Sequence, residues 1–156
     1  MSGPDFWFDD HHTHAAAGVF LLTPDRRLIL QLRDDKPDIH YPNMITAFGG
    51  GAEPGESPEE CALRELAEET GIHARSGDLR RLGAVSKVDF RGHPTASVFF
   101  LLRDVDPAGL NITEGAAVVL SFEEAAVDSR LTENCRRFCT EIALGEDEQS
   151  SFERHS

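Results

Sequence analysis

Apolar and polar positions fall in blocks along the chain, and the blocks predict elements. Ala15 to Leu22 reads AAAGVFLL and is ended by Thr23-Pro24-Asp25; Arg27 to Arg33 (RLILQLR) resumes the apolar run. Two such runs split by a Pro-Asp turn predict neighbouring strands. Asp34 to Asn43 is polar and holds Pro37 and Pro42, which predicts a loop. Met44 to Phe48 predicts a short strand stopped by Gly49-Gly50-Gly51. Ser57, Pro58 and Glu60 then form a capping box with proline at the first helical position, and Gly71 is placed as a left-handed stop. The helix between them runs from about Pro58 to Thr70, with Ala62, Leu63, Leu66 and Ala67 available for its buried side.

Leu79 to Phe90 and Thr95 to Arg103 predict two strands around the turn Arg91-Gly92-His93-Pro94, and the apolar segment from Ser97 predicts a central strand. Ala116 to Leu120 predicts another strand, followed by a turn opened by Ser121 with Glu123 and Glu124. Leu131 to Leu144 predicts a second helix with Cys135, Phe138 and Ile142 on one face and Gly145 ending it. Strands, helix, strands, helix is the order of an α/β (α+β) fold with a mixed sheet between helices.

Charge narrows the function. The chain of 156 residues has 15 Lys plus Arg against 28 Asp plus Glu, a formal net charge of −13. Such a chain is a poor partner for nucleic acid or for anionic membranes, which attract basic surfaces. If the ligand is a phosphate compound, something other than bulk charge must attract it, and a divalent metal is the obvious candidate. The acid concentrates at the ends, so 1–14 and 146–156 are expected as flexible segments around one domain at 15–145. Three cysteines (Cys61, Cys135 and Cys139) form no disulfide framework, and Cys135 and Cys139 read as packed core thiols rather than a metal pair. No run reaches membrane-spanning length and no basic leader precedes the domain, so a cytoplasmic setting is expected. His11, His12 and His14 beside Asp9 and Asp10 look metal-like, but a mobile tail cannot preorganise a site. His93 reads as an exposed turn residue.

The chemistry is concentrated in residues 50–72, GGAEPGESPEECALRELAEETGI. Glu65, Glu68 and Glu69 are spaced i, i+3, i+4 and so share one helix face. Three crowded carboxylates repel, and hard oxygen donors at this spacing suit Mg²⁺ or Mn²⁺. A solvated acidic face is the alternative for the helix taken alone. The frame around it resembles the Nudix box at every defined position: Gly50, Glu56, Arg64-Glu65-Leu66, Glu68-Glu69 and Gly71-Ile72, with Gly49, Glu53 and Gly55 similar to the usual opening. The strand order around it is also similar to the Nudix α/β/α sandwich.

That resemblance implies a metal-dependent hydrolase in which water attacks phosphorus and splits a diphosphate bond. It implies that Glu56 and Arg64 pair to fix the loop on the helix, and that Glu65, Glu68 and Glu69 bind the metal with help from the Gly49 carbonyl. Glu65 is the first candidate for the general base, then Glu68, then Glu114, which could also bind metal. Arg33 is a candidate phosphate contact, Tyr41 and Phe90 could stack on a base, and Asn134 could read a base edge as in MutT-type relatives. Phe48 is expected to pack. Phe48-Gly49-Gly50 departs from the family's common Pro-Gly-Gly, and Tyr41-Pro42-Asn43 departs nearby, so substrate identity does not carry over. The expected substrate is a nucleoside diphosphate linked to another group, of the nucleoside triphosphate or nucleotide-sugar type. Two other classes remain: a non-catalytic nucleotide-sensing Nudix domain, and an isomerase, which would need a positioned catalytic cysteine where Cys61 is expected to pack against the sheet. A homodimer is expected by analogy only.

Overall fold

The computed structural model describes residues 16–39, 41–86 and 95–155, with side chains described for 16–39, 41–85 and 96–146. The segment 1–14, Phe90 and His93 therefore lie outside the described residues.

The N-terminal apolar run forms β1 (Ala16–Leu22), and RLILQLR supplies β2 (Leu28–Leu32). Their turn is closed by backbone bonds between Thr23 and both Arg26 and Arg27. β3 (Ile45–Thr46) and β4 (Phe48–Gly51) are separated by Ala47. The glycine triplet, expected to stop a strand, is itself a strand: Gly51, Gly50 and Gly49 pair antiparallel with Ala16, Ala17 and Gly18 of β1. Edge-on pairing needs backbone only, and here it leaves room for a side chain above it. A Cβ on Gly50 would lie 2.6 Å from Glu65 Oε1.

The box helix is α1 (Pro58–Thr70). Its Ser57 side chain accepts from the Glu60 backbone N–H, and the Glu60 carboxylate accepts from the Ser57 N–H. Gly71 closes it at φ 80°. The buried residues of α1 are Cys61, Ala62, Leu66, Glu69 and Thr70, so the burial is turned slightly from the expected Leu63 and Ala67. β5 (Leu79–Ser86) pairs antiparallel with β6 (Thr95–Leu101), and β6 runs parallel to β1. β6 is thus flanked on both sides, as its unbroken apolar character predicts. β7 (Ala116–Leu120) pairs antiparallel with β2.

Ser121 opens a short helix rather than a turn. In α2 (Phe122–Val127) its side chain accepts from the Glu124 N–H, and Glu124 caps back onto Ser121. The last helix, α3 (Glu133–His155), starts two residues later than expected because Leu131 bridges to Ile45. It also does not stop at Gly145, and the stretch 146–156, expected as a flexible acidic tail, is helical as far as His155. Gly71 and Gly145 differ in conformation: Gly145 is not among the positive-φ glycines, so nothing turns the chain there. Glu146 in the following turn instead ion-pairs with Arg26.

The strands form one mixed sheet with a core on each face. On one side α1 packs through Cys61, Ala62 and Leu66 onto Ala17, Val19, Leu21, Ile29, Phe48, Phe99 and Leu101. On the other, α3 and α2 pack through Cys135, Phe138, Cys139, Ile142 and Ala125 onto Phe20, Leu22, Leu28, Leu30, Val98 and Phe100. The period of two places odd residues of β1 and β2 on the α1 side and even ones on the α3 side. Gln31 and Arg33 therefore follow Ile29 onto the α1 face. All three cysteines are buried and none is in a disulfide, as packed thiols should be.

Candidate active site

The turn before α1 and the first half of the helix are tied by Arg64. Its guanidinium donates to both Glu56 oxygens at 2.8 and 2.9 Å and to the Gly51 carbonyl at 3.0 Å. It also reaches Glu65 Oε1 at 3.0 Å and Glu68 Oε2 at 3.2 Å. The Arg64 bond holds the Glu56 carboxyl below the usual range, and Glu56 in turn raises Arg64. The predicted Glu56–Arg64 pair therefore exists, and one cation also screens two of the three acids.

Glu69 is the buried member of the three. Its Oε1 accepts from the Gly49 N–H at 2.7 Å and its Oε2 from the Gln31 amide at 3.1 Å. Burial, reinforced by the charge of Glu65, pushes the Glu69 carboxyl up to about 8. Burial also raises Glu65. A site that removes two acids from water in this way favours a cation beside them. The thiol of Cys61, against the Gly50 carbonyl at 3.4 Å, is pushed up to about 12 by burial and is not poised as a nucleophile.

The loop after the single 3-10 turn Pro107–Gly109 packs over the end of α1. Asn111 N–H donates to the Thr70 carbonyl at 2.9 Å, Thr113 N–H to the Glu69 carbonyl at 3.3 Å, and Thr113 Oγ1 to the Glu68 carbonyl at 3.0 Å. These bonds satisfy carbonyls left over at the end of α1. They also bring Glu114 close enough for its charge to act on Glu65, Glu69 and Arg33. Gln31 donates a second time, to the Glu114 carbonyl at 3.1 Å.

A cleft of about 190 Å³ opens beside these acids, lined by Gln31, Arg33, Asp34, Lys36, Ile39, Thr113, Glu114 and Gly115. Burial lowers Arg33, while Glu69, Glu114 and Asp34 act to raise it. Tyr41 does not line this cleft; it packs against the α3-side core in a left-handed conformation, φ 51°. Asn134 stands half-buried in the first turn of α3 and does not line it either. Phe48 is fully buried.

Among the described residues, no three Asp, Glu, His or Cys side chains converge as a ready-made metal-ligand set. Arg64 draws Glu65 and Glu68 toward itself, while Glu69 is held by Gly49 and Gln31. The donors still fit a hard divalent ion: Glu65, Glu68, Glu69 and Glu114 all offer carboxylate oxygens, and the Glu68 side chain is more than half exposed. Sequence reasoning missed Gln31 and Thr113. Gln31 carried a signal, a lone amide within the apolar run RLILQLR on the α1 face; Thr113 carried none.

Comparison with known proteins agrees with this geometry. The family model of the NUDIX domain matches residues 12–139. The chain is 32% identical over 80 residues to "Uncharacterized Nudix hydrolase orf19" of Rhodococcus erythropolis, covering 51% of this chain and 43% of that protein. It is 31% identical over 91 residues to the ADP-ribose pyrophosphatase of Methanocaldococcus jannaschii, covering 58% and 52%. It is also 37% identical over 68 residues to the prenyl-diphosphate phosphatase of Methanosarcina mazei, covering 44% and 39%. The matches thus span about half or less of these relatives. Among solved structures, the MutT protein from Methanosarcina mazei Go1 superposes with a TM-score of 0.71 at 20% identity, covering 85% of this chain and 94% of that one. The fold, the box and the match over most of the length agree: this chain belongs to the Nudix family.

Proposed function

We propose that the protein is a Mg²⁺- or Mn²⁺-dependent pyrophosphohydrolase acting on a nucleoside diphosphate linked to another group, of the nucleoside triphosphate or nucleotide-sugar type. The observation that carries this reading is the pairing of α1's clustered carboxylates, two of them raised by burial, with an arginine-lined cleft beside them. Glu65, Glu68 and Glu69 would hold the ion, with Glu114 and the Gly49 carbonyl at its margin. When bound, the ion supplies Lewis acidity toward phosphate oxygens and lowers the pKa of water.

The chain's own groups do the rest. Arg33 and Lys36 receive phosphate oxygens in the cleft and set the chain of phosphates against α1. Glu65 takes the proton of the attacking water at Oε2, since its Oε1 is engaged by Arg64. Arg64 and Glu56 keep the loop seated while charge moves. Three buried cysteines outside any disulfide suit a reducing cytoplasm. The similar proteins named above act on ADP-ribose and prenyl diphosphate by their names, so the family's chemistry supports the diphosphate bond but not one substrate.

A substrate panel tests the reading. Purified protein with Mg²⁺ or Mn²⁺ is offered canonical and oxidised nucleoside triphosphates, nucleotide sugars, ADP-ribose and dinucleoside polyphosphates, with phosphate and diphosphate release followed. Metal-dependent cleavage is expected, falling at least about 100-fold in Glu68→Gln and Glu69→Gln, in line with loss of an electrostatic group at the reacting centre. Tight nucleotide binding without any cleavage would instead establish a sensing domain.

A further inference from the structure

Gln31 is 3% exposed and lies 38 residues from Glu69, yet it joins the two halves of the site. Both amide hydrogens are used, one on Glu69 Oε2 and one on the Glu114 carbonyl. Its Oε1 is buried and has no hydrogen-bond partner among the described residues. A buried acceptor left unpaired costs free energy and calls for an explanation. Turning the amide over does not relieve it. With Glu69 ionised, as it must be to hold a cation, that would set Oε1 against a carboxylate and a carbonyl, two acceptors, and would forfeit both bonds. The orientation is therefore fixed by Glu69 and Glu114, and the oxygen is left buried in a residue that lines the cleft.

We propose that Gln31 is a positioning residue of the carboxylate centre: it orients Glu69 and locks the Glu114 loop to α1, while its buried Oε1 accepts a hydrogen bond from an enclosed water. This rests on the metal-dependent reading above. Glu69 has one oxygen on the Gly49 N–H and the other on Gln31, so two hydrogen bonds fix the plane of its carboxylate. Without the amide the carboxylate keeps only the Gly49 bond and can swing about it. The Thr113–Gly115 turn likewise loses its side-chain tie to β2 and keeps only the backbone pairing that begins at Ala116. Outer groups that orient metal ligands characteristically change affinity by about 10–100-fold when removed.

The test uses Gln31→Met, which keeps length and volume but neither donates nor accepts as an amide, and Gln31→Asn, which keeps the amide but draws it back. Mn²⁺ binding is titrated by electron paramagnetic resonance of the free ion, and kcat and KM are measured separately. Both variants are expected to bind Mn²⁺ about 10-fold more weakly. Both should lose kcat with KM little changed, since the cleft arginine is untouched. A high-resolution structure should place a water within hydrogen-bond distance of Gln31 Oε1. Asparagine, the smaller side chain, gives the measurement should methionine prevent folding. Wild-type Mn²⁺ affinity and kcat in a folded variant would overturn the assignment while leaving the metal reading intact. No Mn²⁺ binding by the wild type would overturn both.

Discussion

Glu69 is pulled two ways. It needs to be ionised to hold a cation, but burial raises it from 4.5 to about 8. In the metal-free protein the folded state therefore keeps a proton that the unfolded chain releases. Below about pH 4.5 both states are protonated and the group has no effect. As pH rises from 4.5 toward 8 the unfolded chain ionises first, so stability falls across that window. Glu65, also raised by burial, acts in the same direction. Glu56 is lowered by Arg64, so its contribution is lost only as pH falls below 4.5, outside this window. Calorimetry in EDTA should show Tm falling between pH 5 and 8, and Glu69→Gln should flatten the fall. In a chain of this size about 1 kcal/mol corresponds to roughly 2–4 °C. Saturating Mn²⁺ should reverse the decline. A slope left unchanged by Glu69→Gln would mean that burial of this carboxyl is not its source.

At the scale of elements, the site depends on how one loop is seated. Gly115 has φ 64°, and a Cβ there would lie 2.2 Å from the Leu32 carbonyl oxygen. That contact is backbone against backbone and cannot yield by a side-chain rotation. Gly55 is a matched control, with φ 81° and nothing within 4 Å of its Cβ position. Gly55→Ala should cost about 1 kcal/mol, the strain of a left-handed residue alone. Gly115→Ala should cost about 3 kcal/mol or more and lift the Thr113–Gly115 turn away from Gln31. Urea unfolding compares the two, and equal losses would rule out the close approach as the reason for the second glycine.

At the scale of the whole molecule, the sheet separates a core that carries the site from a core that supports it. Phe138 is fully buried on the α3 side, with its ring 3.3 Å from where a Gly83 Cβ would stand and its centroid 6.3 Å from that of Phe20. Leu66 is buried on the α1 side, one residue after Glu65. Phe138→Ala should cost about 3–5 kcal/mol and Leu66→Ala about 2–5 kcal/mol. Only Leu66→Ala should also weaken Mn²⁺ binding by the folded protein, because it shifts the helix that presents the carboxylates. Parallel urea melts and Mn²⁺ titrations distinguish them; weakened binding in Phe138→Ala would show that the two cores are not independent.

The linear pattern alone determined much of this protein. Local periodicity marked the strands, Ser57 and Gly71 bounded α1 by interactions within a few residues, and i, i+3, i+4 spacing put Glu65, Glu68 and Glu69 on one face beside Arg64. The same local logic was present at Ser121 and Glu124, where a capping box opened a helix rather than a turn. The tertiary structure decided what depends on residues far apart. Gly49–Gly51 became a strand because β1 lay alongside to pair with it. Gly145 stayed within α3 because its conformation never turned left-handed. Gln31 reached Glu69, and Thr113 reached the end of α1, only once the sheet had brought β2 and the 110–115 loop against the helix. Hydrogen bonds across such distances follow from packing, which no short stretch of sequence encodes.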